Sequence, residues 1–202
     1  MNITFFKSKL LAAVAGLVLA GSANANLIVN GGFEDNLVPS GSWNYYSSSD
    51  VNGWEGSNIE VWNNLGGVSA AEGQQHAELN AHPYTGEVFS IFQDFATVIG
   101  QSYDVSFFYR ARASEDEVFA FSVGSLNAIL ADHTVNAWSR FSDSFIADSE
   151  LTRLSFTTLD SGTLGNLIDG VSVEATVPEP ASVALLAIGL FGLGLARRNL
   201  RA

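Results

Sequence analysis

Aromatic residues set in a stretch of small polar ones carry the strongest chemical signal in this chain of 202 residues. Between Asn36 and Asn52 the sequence places Ser40-Gly41-Ser42, Trp43, Tyr45-Tyr46 and Ser47-Ser48-Ser49, with Trp54 just beyond. Trp and Tyr join a broad apolar face to a polar edge, which suits them to stack on sugar rings while Asn and Asp read the hydroxyls. Trp43, Tyr45 and Tyr46 are therefore candidate glycan-binding residues. His82 and Tyr84, flanking Pro83, form a second candidate loop. Trp54, following Asn52-Gly53, fits a core position instead, and Trp62 and Trp138 sit in strand-like surroundings that fit core or sheet edge.

Other chemistries find less support. His76 and Glu78 would share one face of a strand, but His82 lies beyond its end and no third ligand stands at helical spacing, so a zinc site is not assembled. His133 stands alone. The chain has no Gly-x-Ser-x-Gly elbow and no cysteine, which removes the commonest activated nucleophiles. A hydrolase would need a deep cleft with two opposed carboxylates, and a chain this acidic always brings some pair close. Glu115-Asp116-Glu117 reads as a solvated turn.

Charge narrows the partners. Residues 26–176 hold 20 acidic residues against Arg110, Arg112, Arg140 and Arg153, a formal charge of −16 with no lysine. Phosphate recognition runs on Lys and Arg, so nucleic acid is excluded as a partner. Without cysteine there are neither disulfides nor thiolate metal sites, and the hard oxygen ligands in excess suit Ca²⁺.

Around these residues the chain alternates rather than coils. From Ser102 to Arg112, Tyr103, Val105, Phe107 and Tyr109 share one parity against Asp104, Ser106 and Arg110. Similar runs cover 27–29, 58–62, 74–80, 87–97, 118–123, 127–135, 138–146, 152–159 and 167–175, separated by Gly, Asn, Asp and Ser. About ten such strands predict an all-β, antiparallel sandwich over residues 26–176, with 36–52 as one long loop. Asp169 has the parity of Val171 and Val173, so its carboxylate is expected to point into the core. There it would need hydrogen-bond donors, an arginine or a metal.

Asn30-Gly31-Gly32-Phe33-Glu34 early, Ile168-Asp169-Gly170-Val171 late, and Glu78-Leu79-Asn80, Gln93 and Gly100-x-x-Tyr103-x-x-x-Phe107 between them resemble the galactose-binding-like jelly-roll domains. These include several carbohydrate-binding modules. The resemblance implies that the first and last strands lie side by side, with Glu34 and Asp169 holding a structural calcium ion. The competing reading is that Asp169 caps a bulge at Gly170 and Glu34 faces water.

Both ends read as handling signals. Lys7 and Lys9, the apolar stretch from Leu10 to Ala20 and Ala23-Asn24-Ala25 form a signal peptide over residues 1–25, which implies Sec-type export. At the other end, over 177–202, Pro178-Glu179-Pro180 precedes an apolar run from Ala181 to Ala196, then Arg197-Arg198 and Arg201. The prolines keep helix from beginning before Ala181. Sixteen helical residues would rise about 24 Å, short of the roughly 30 Å hydrocarbon core, yet the basic stop lets such a helix anchor transiently in a membrane. This tail resembles the PEP-CTERM sorting signal of Gram-negative bacteria. That implies recognition by an exosortase near Pro178-Glu179-Pro180 and a final place at the cell surface or in an exopolysaccharide matrix.

Three functions follow as expectations: a glycan-binding module, a structural or adhesive matrix protein without a ligand pocket, and, least, a hydrolase. Mass spectrometry of the mature protein from its native host should find an N-terminus at Asn26 and a chain shortened near residues 178–180. Recovery of an intact C-terminus through Ala202 would overturn the processing.

Overall fold

The structure is a computed structural model that describes residues 25–83, 86–114, 116–131, 134–159 and 162–176. The expected signal peptide and sorting tail lie outside them. Strands, in chain order, are β1 (Ser42–Tyr46), β2 (Glu55–Gly56), β3 (Ile59–Asn63), β4 (His76–Glu78), β5 (Ser90–Ala96), β6 (Ser102–Arg110), β7 (Phe119–Val123), β8 (Leu126–Leu130), β9 (Ser139–Ile146), β10 (Leu151–Thr158) and β11 (Leu167–Ala175). Six form one sheet in the order β1-β3-β4-β11-β6-β9, and five form the other, β2-β5-β10-β7-β8. Every pairing is antiparallel. This is the expected jelly-roll β-sandwich.

Alternation explains the layers. Tyr103, Val105, Phe107 and Tyr109 of β6 point inward, and Leu154 and Phe156 of β10 meet them from the opposite sheet. Phe107 is the hub: its ring centroid lies 4.8 Å from Phe121, 4.9 Å from Phe141 and 5.0 Å, edge-on, from Phe156. Rings from β6 and β9 thus interlock with rings from β7 and β10, so aromatic contact rather than disulfide holds the sheets together. Trp54 is buried as expected, stacked on Phe33 at 5.1 Å.

The chain closes on itself. Residues 27–29 form no strand of their own, yet Leu27 donates its amide to Val173 O (2.8 Å) and Val171 donates to Gly31 O (3.0 Å). Asn26 bridges further, its Nδ2 donating to Val171 O (3.0 Å) and its Oδ1 accepting from Val173 N (2.9 Å). A Cβ at Gly31 would stand 2.0 Å from Val171 O, so only glycine permits this approach.

Three expectations need correction. The presumed loop 36–52 contains the edge strand β1, hidden because most of its side chains are exposed on both faces. Asp169 does not enter the core: the β11–β6 register shifts between Asp169 and Ser172, where Gly170 adopts φ +56°. Ile168 and Val171 both point inward, so Asp169 lies on the outer face. Glu117 is not solvated; it is buried and accepts the amides of Arg112, Ala113 and Ser114 at 2.6, 2.8 and 3.0 Å.

The sandwich has two distinct poles. Ala175 pairs with Tyr103 and Thr176 donates to Ser102 O, so the chain leaves beside the β5–β6 and β9–β10 turns. At the other end Leu167 pairs with Glu78 and Arg110.

A candidate binding face on the six-stranded sheet

Cross-strand register, not sequence spacing, builds the site. In β3, Ile59 and Val61 face the core, which turns Glu60 and Trp62 outward. β1 pairs Trp43 with Trp62 and Tyr45 with Glu60, so Trp43 and Tyr45 join that outer face. Their rings stay 39% and 42% exposed, with centroids 6.5 Å apart. The His82 ring meets both at steep angles, 5.2 Å from Tyr45 and 6.3 Å from Trp43. Three of the predicted glycan-binding residues thus stand together. Tyr46, next along the strand, turns the other way and packs against the core, so it leaves the group; Tyr84 lies outside the described residues.

Behind this exposed trio runs a buried polar layer that spacing alone did not reveal. Glu60 accepts the Trp62 indole N–H through Oε1 (2.7 Å) and the His82 amide through Oε2 (3.2 Å). Glu78, its cross-strand neighbour, accepts from Arg112 Nη1 (2.6 Å) and Gly165 N (3.1 Å). The Arg112 guanidinium lies 4.8 Å over the Trp62 ring. His76 continues the row, 5.9 Å from Trp62 and 5.4 Å from Trp138, which donates its indole N–H to Ser69 O. The visible clue was the alternation of Ile59-Glu60-Val61-Trp62.

Two adjacent buried carboxylates cannot both carry charge cheaply. Burial pushes Glu78 up to about 9, the Glu60 charge and carboxyl contact add to this, and Arg112 pulls the other way. Glu78 accordingly keeps a proton at neutral pH. Burial, then the Arg110 charge, hold His76 down to about 4, so its imidazole is neutral.

Glu34 and Asp169, the expected calcium ligands, grip one loop. Glu34 Oε1 accepts the amides of Gln74 (2.6 Å) and Gln75 (2.9 Å). Asp169 Oδ2 accepts those of Ala71 (2.8 Å) and Glu72 (2.9 Å), and Oδ1 that of Gly170 (2.7 Å). Burial raises Asp169 to about 7 although these amides oppose the shift. Among the described residues no three His, Asp or Glu side chains converge as a metal site. Calcium takes six to eight oxygens, and here loop amides already engage Glu34 Oε1 and both Asp169 oxygens. The two carboxylates alone do not complete such a shell.

Residues 176–198 match the PEP-CTERM protein-sorting motif, which marks an exported protein sorted to the cell surface and processed by an exosortase. The chain is similar to halomucin of Haloquadratum walsbyi (strain DSM 16790 / HBSQ001), 27% identical over 185 residues, 84% of this chain. It spans about 2% of the length of that protein. Among solved structures, an arabinose-bound α-L-arabinofuranosidase, MgGH51, superposes with a TM-score of 0.52 at 12% identity, over 77% of this chain and 27% of that one. The CBM22-1 xylan-binding domain of Paenibacillus barcinonensis Xyn10C gives 0.48 at 12% identity, over 79% and 99%. At such identities the likeness concerns the fold alone.

Two outcomes test the buried groups. Melting in EDTA and then in millimolar Ca²⁺ should give one midpoint, whereas Glu34→Ala and Asp169→Ala, each stranding two loop amides, should each cost roughly 1–3 kcal/mol. A rise with calcium would show that the carboxylates trade amides for metal. As for pH, the Glu78 proton stabilises the fold fully below the ordinary glutamate value, and that contribution is lost as pH rises through about 9. His76 acts oppositely, adding stability from about 4 up to the ordinary imidazole value, and Asp169 loses its part by about 7. Above neutrality Glu78 dominates these three, so thermal midpoints should fall between pH 7 and 9, and Glu78→Gln should flatten the fall.

Proposed function

We propose that this surface protein binds glycan through the trio of Trp43, Tyr45 and His82. The observation that carries the reading is the exposure of two large aromatic rings side by side on the outer face of β1. A soluble domain ordinarily hides such rings; left open, they offer the broad apolar surface on which a pyranose or furanose ring stacks. Their backing is rigid. Glu60 fixes the His82 backbone, Trp62 pairs with Trp43, and Arg112 presses on Trp62. Such support holds the platform without demanding that ligand order it, which favours affinity.

The tail fits this role. Anchoring by the apolar run 181–196, with Arg197 and Arg198 behind it, would hold the protein in the membrane until an exosortase acts near Pro178-Glu179-Pro180. The released sandwich would then join the extracellular polysaccharide. A Sec-dependent signal peptide over residues 1–25 and a Gram-negative host belong to the same reading. The carboxylate pair of Glu60 and Glu78 is buried behind the aromatics, out of reach of a ligand on the platform.

Binding is read by affinity electrophoresis in soluble arabinan, xylan and β-glucan gels, with isothermal titration for any polysaccharide that retards the protein. Trp43→Ala and Tyr45→Ala should each weaken binding about tenfold, roughly 1.4 kcal/mol, and leave the melting midpoint nearly unchanged. Failure to bind any of these polysaccharides, or variants that bind as tightly as the parent, would favour the purely structural matrix protein.

A further inference from the structure

At the pole where the chain leaves, the sandwich exposes a set of aliphatic side chains. Val98 and Ile99 are each 61% exposed, and Ile146 and Leu151 are each 62% exposed. Backbone bonds tie these residues into one tip. Thr97 donates to Glu150 O (3.0 Å), Gly100 to Ala147 O (2.8 Å) and Ala147 to Gln101 O (3.0 Å). The Thr97 hydroxyl adds a bond to Ser149 O (2.8 Å), and Val98 N donates to the Tyr103 hydroxyl (2.9 Å). The position of the four side chains follows from the strands. Ile146 neighbours the inward Phe145 and so faces outside the six-stranded sheet, while Leu151 neighbours the inward Thr152 and faces outside the other. Val98 and Ile99 sit on the turn between the sheets. Aliphatic surface therefore surrounds the tip.

The departing chain starts from the same place. Thr176 donates its amide to Ser102 O (2.9 Å), and Ser102 pairs with Ile146. Only residues 177–180 separate that point from the apolar run beginning at Ala181. The five residue steps from Thr176 to Ala181 span at most about 18 Å. A tail seated in a bilayer would thus hold this tip close to the lipid.

We infer that the tip formed by Val98, Ile99, Ile146 and Leu151 docks on the lipid surface while the protein is tethered, resting on the reading that residues 181–196 enter the membrane. The tether keeps the tip near lipid at high effective concentration, so shallow insertion of four side chains suffices where free protein would not bind. Asp148 and Glu150, exposed in the same turn, set the preference: they oppose an anionic surface and favour a zwitterionic one. Cleavage in the linker ends the tethering and frees the tip. The aromatic trio, toward the opposite pole, stays clear of the bilayer throughout.

The chain has no cysteine, so a single introduced one carries a unique label. Full-length protein with Ile99→Cys, or with Asn136→Cys in the exposed loop of the far pole, is labelled with an environment-sensitive fluorophore and reconstituted into phosphatidylcholine vesicles with shallow spin-labelled lipid. Flotation with the vesicles, together with a blue-shifted tip label quenched at least twofold more than the Asn136 label, supports the inference; a fifth of phosphatidylglycerol should reduce that difference. Flotation with both labels equally aqueous would overturn it while leaving the tail in the membrane. Protein that stays in the aqueous fraction would overturn both. A tip label that becomes apolar without vesicles, in proportion to protein concentration, would instead assign the tip to a second copy of the chain and overturn lipid docking.

Discussion

A sandwich with 20 acidic residues and four arginines in its body must settle every carboxylate it buries without a surplus of cations. That constraint arranges much of the outer face of the six-stranded sheet. Asp169 and Glu34 are settled by backbone amides of residues 71–75, so a loop is fastened where a lysine might otherwise have served. Glu60 is settled by an indole and an amide, Glu78 by one arginine, one amide and a retained proton. Each solution costs a specific partner in a specific place, and the partners together define the face. The arginines show the same economy. Each lies over a ring: Arg110 over Trp138, Arg112 over Trp62, Arg140 over Phe108 and Arg153 over Phe92. A weakly hydrated planar guanidinium tolerates such seats where an ammonium would not.

From this follows a division of labour between faces. Inside, interlocked phenylalanines give stability that ignores pH. Outside, stability and shape depend on hydrogen bonds, and the exposed aromatics are held in place by buried polar groups. Glu60 ties the Trp62 indole to the backbone of His82, so one buried carboxylate braces the exposed platform.

The parts of this fold that were legible were those where one side of a strand is dry. β6, β10 and β11 announce themselves because alternate residues must be apolar on a buried face. β1 does not: at a sheet edge Trp43, Asn44 and Tyr45 are all exposed and no two-residue period of burial shows, so it read as loop. Asp169 was misplaced for a related reason. A bulge at Gly170 inserts one residue and reverses parity, and no pattern count foresees that. Trp43, Tyr45 and His82 were recognised as types suited to sugar, but their union was not, because it depends on which residue of β3 lies opposite each residue of β1. Tyr46 failed through the same geometry, since neighbours on a strand point to opposite sides. The C-terminal sorting segment was readable because its signal is compositional and needs no folded context.

The fastening of Asn26, Leu27 and Gly31 onto β11 also fixes when the protein can mature. Asn26 waits for partners 145 and 147 residues further along the chain, so a chain emerging amino end first has no finished edge to lay down there. Loop closure over such a separation is slow and leaves an unzipped intermediate exposed to proteases and to neighbours of its own kind.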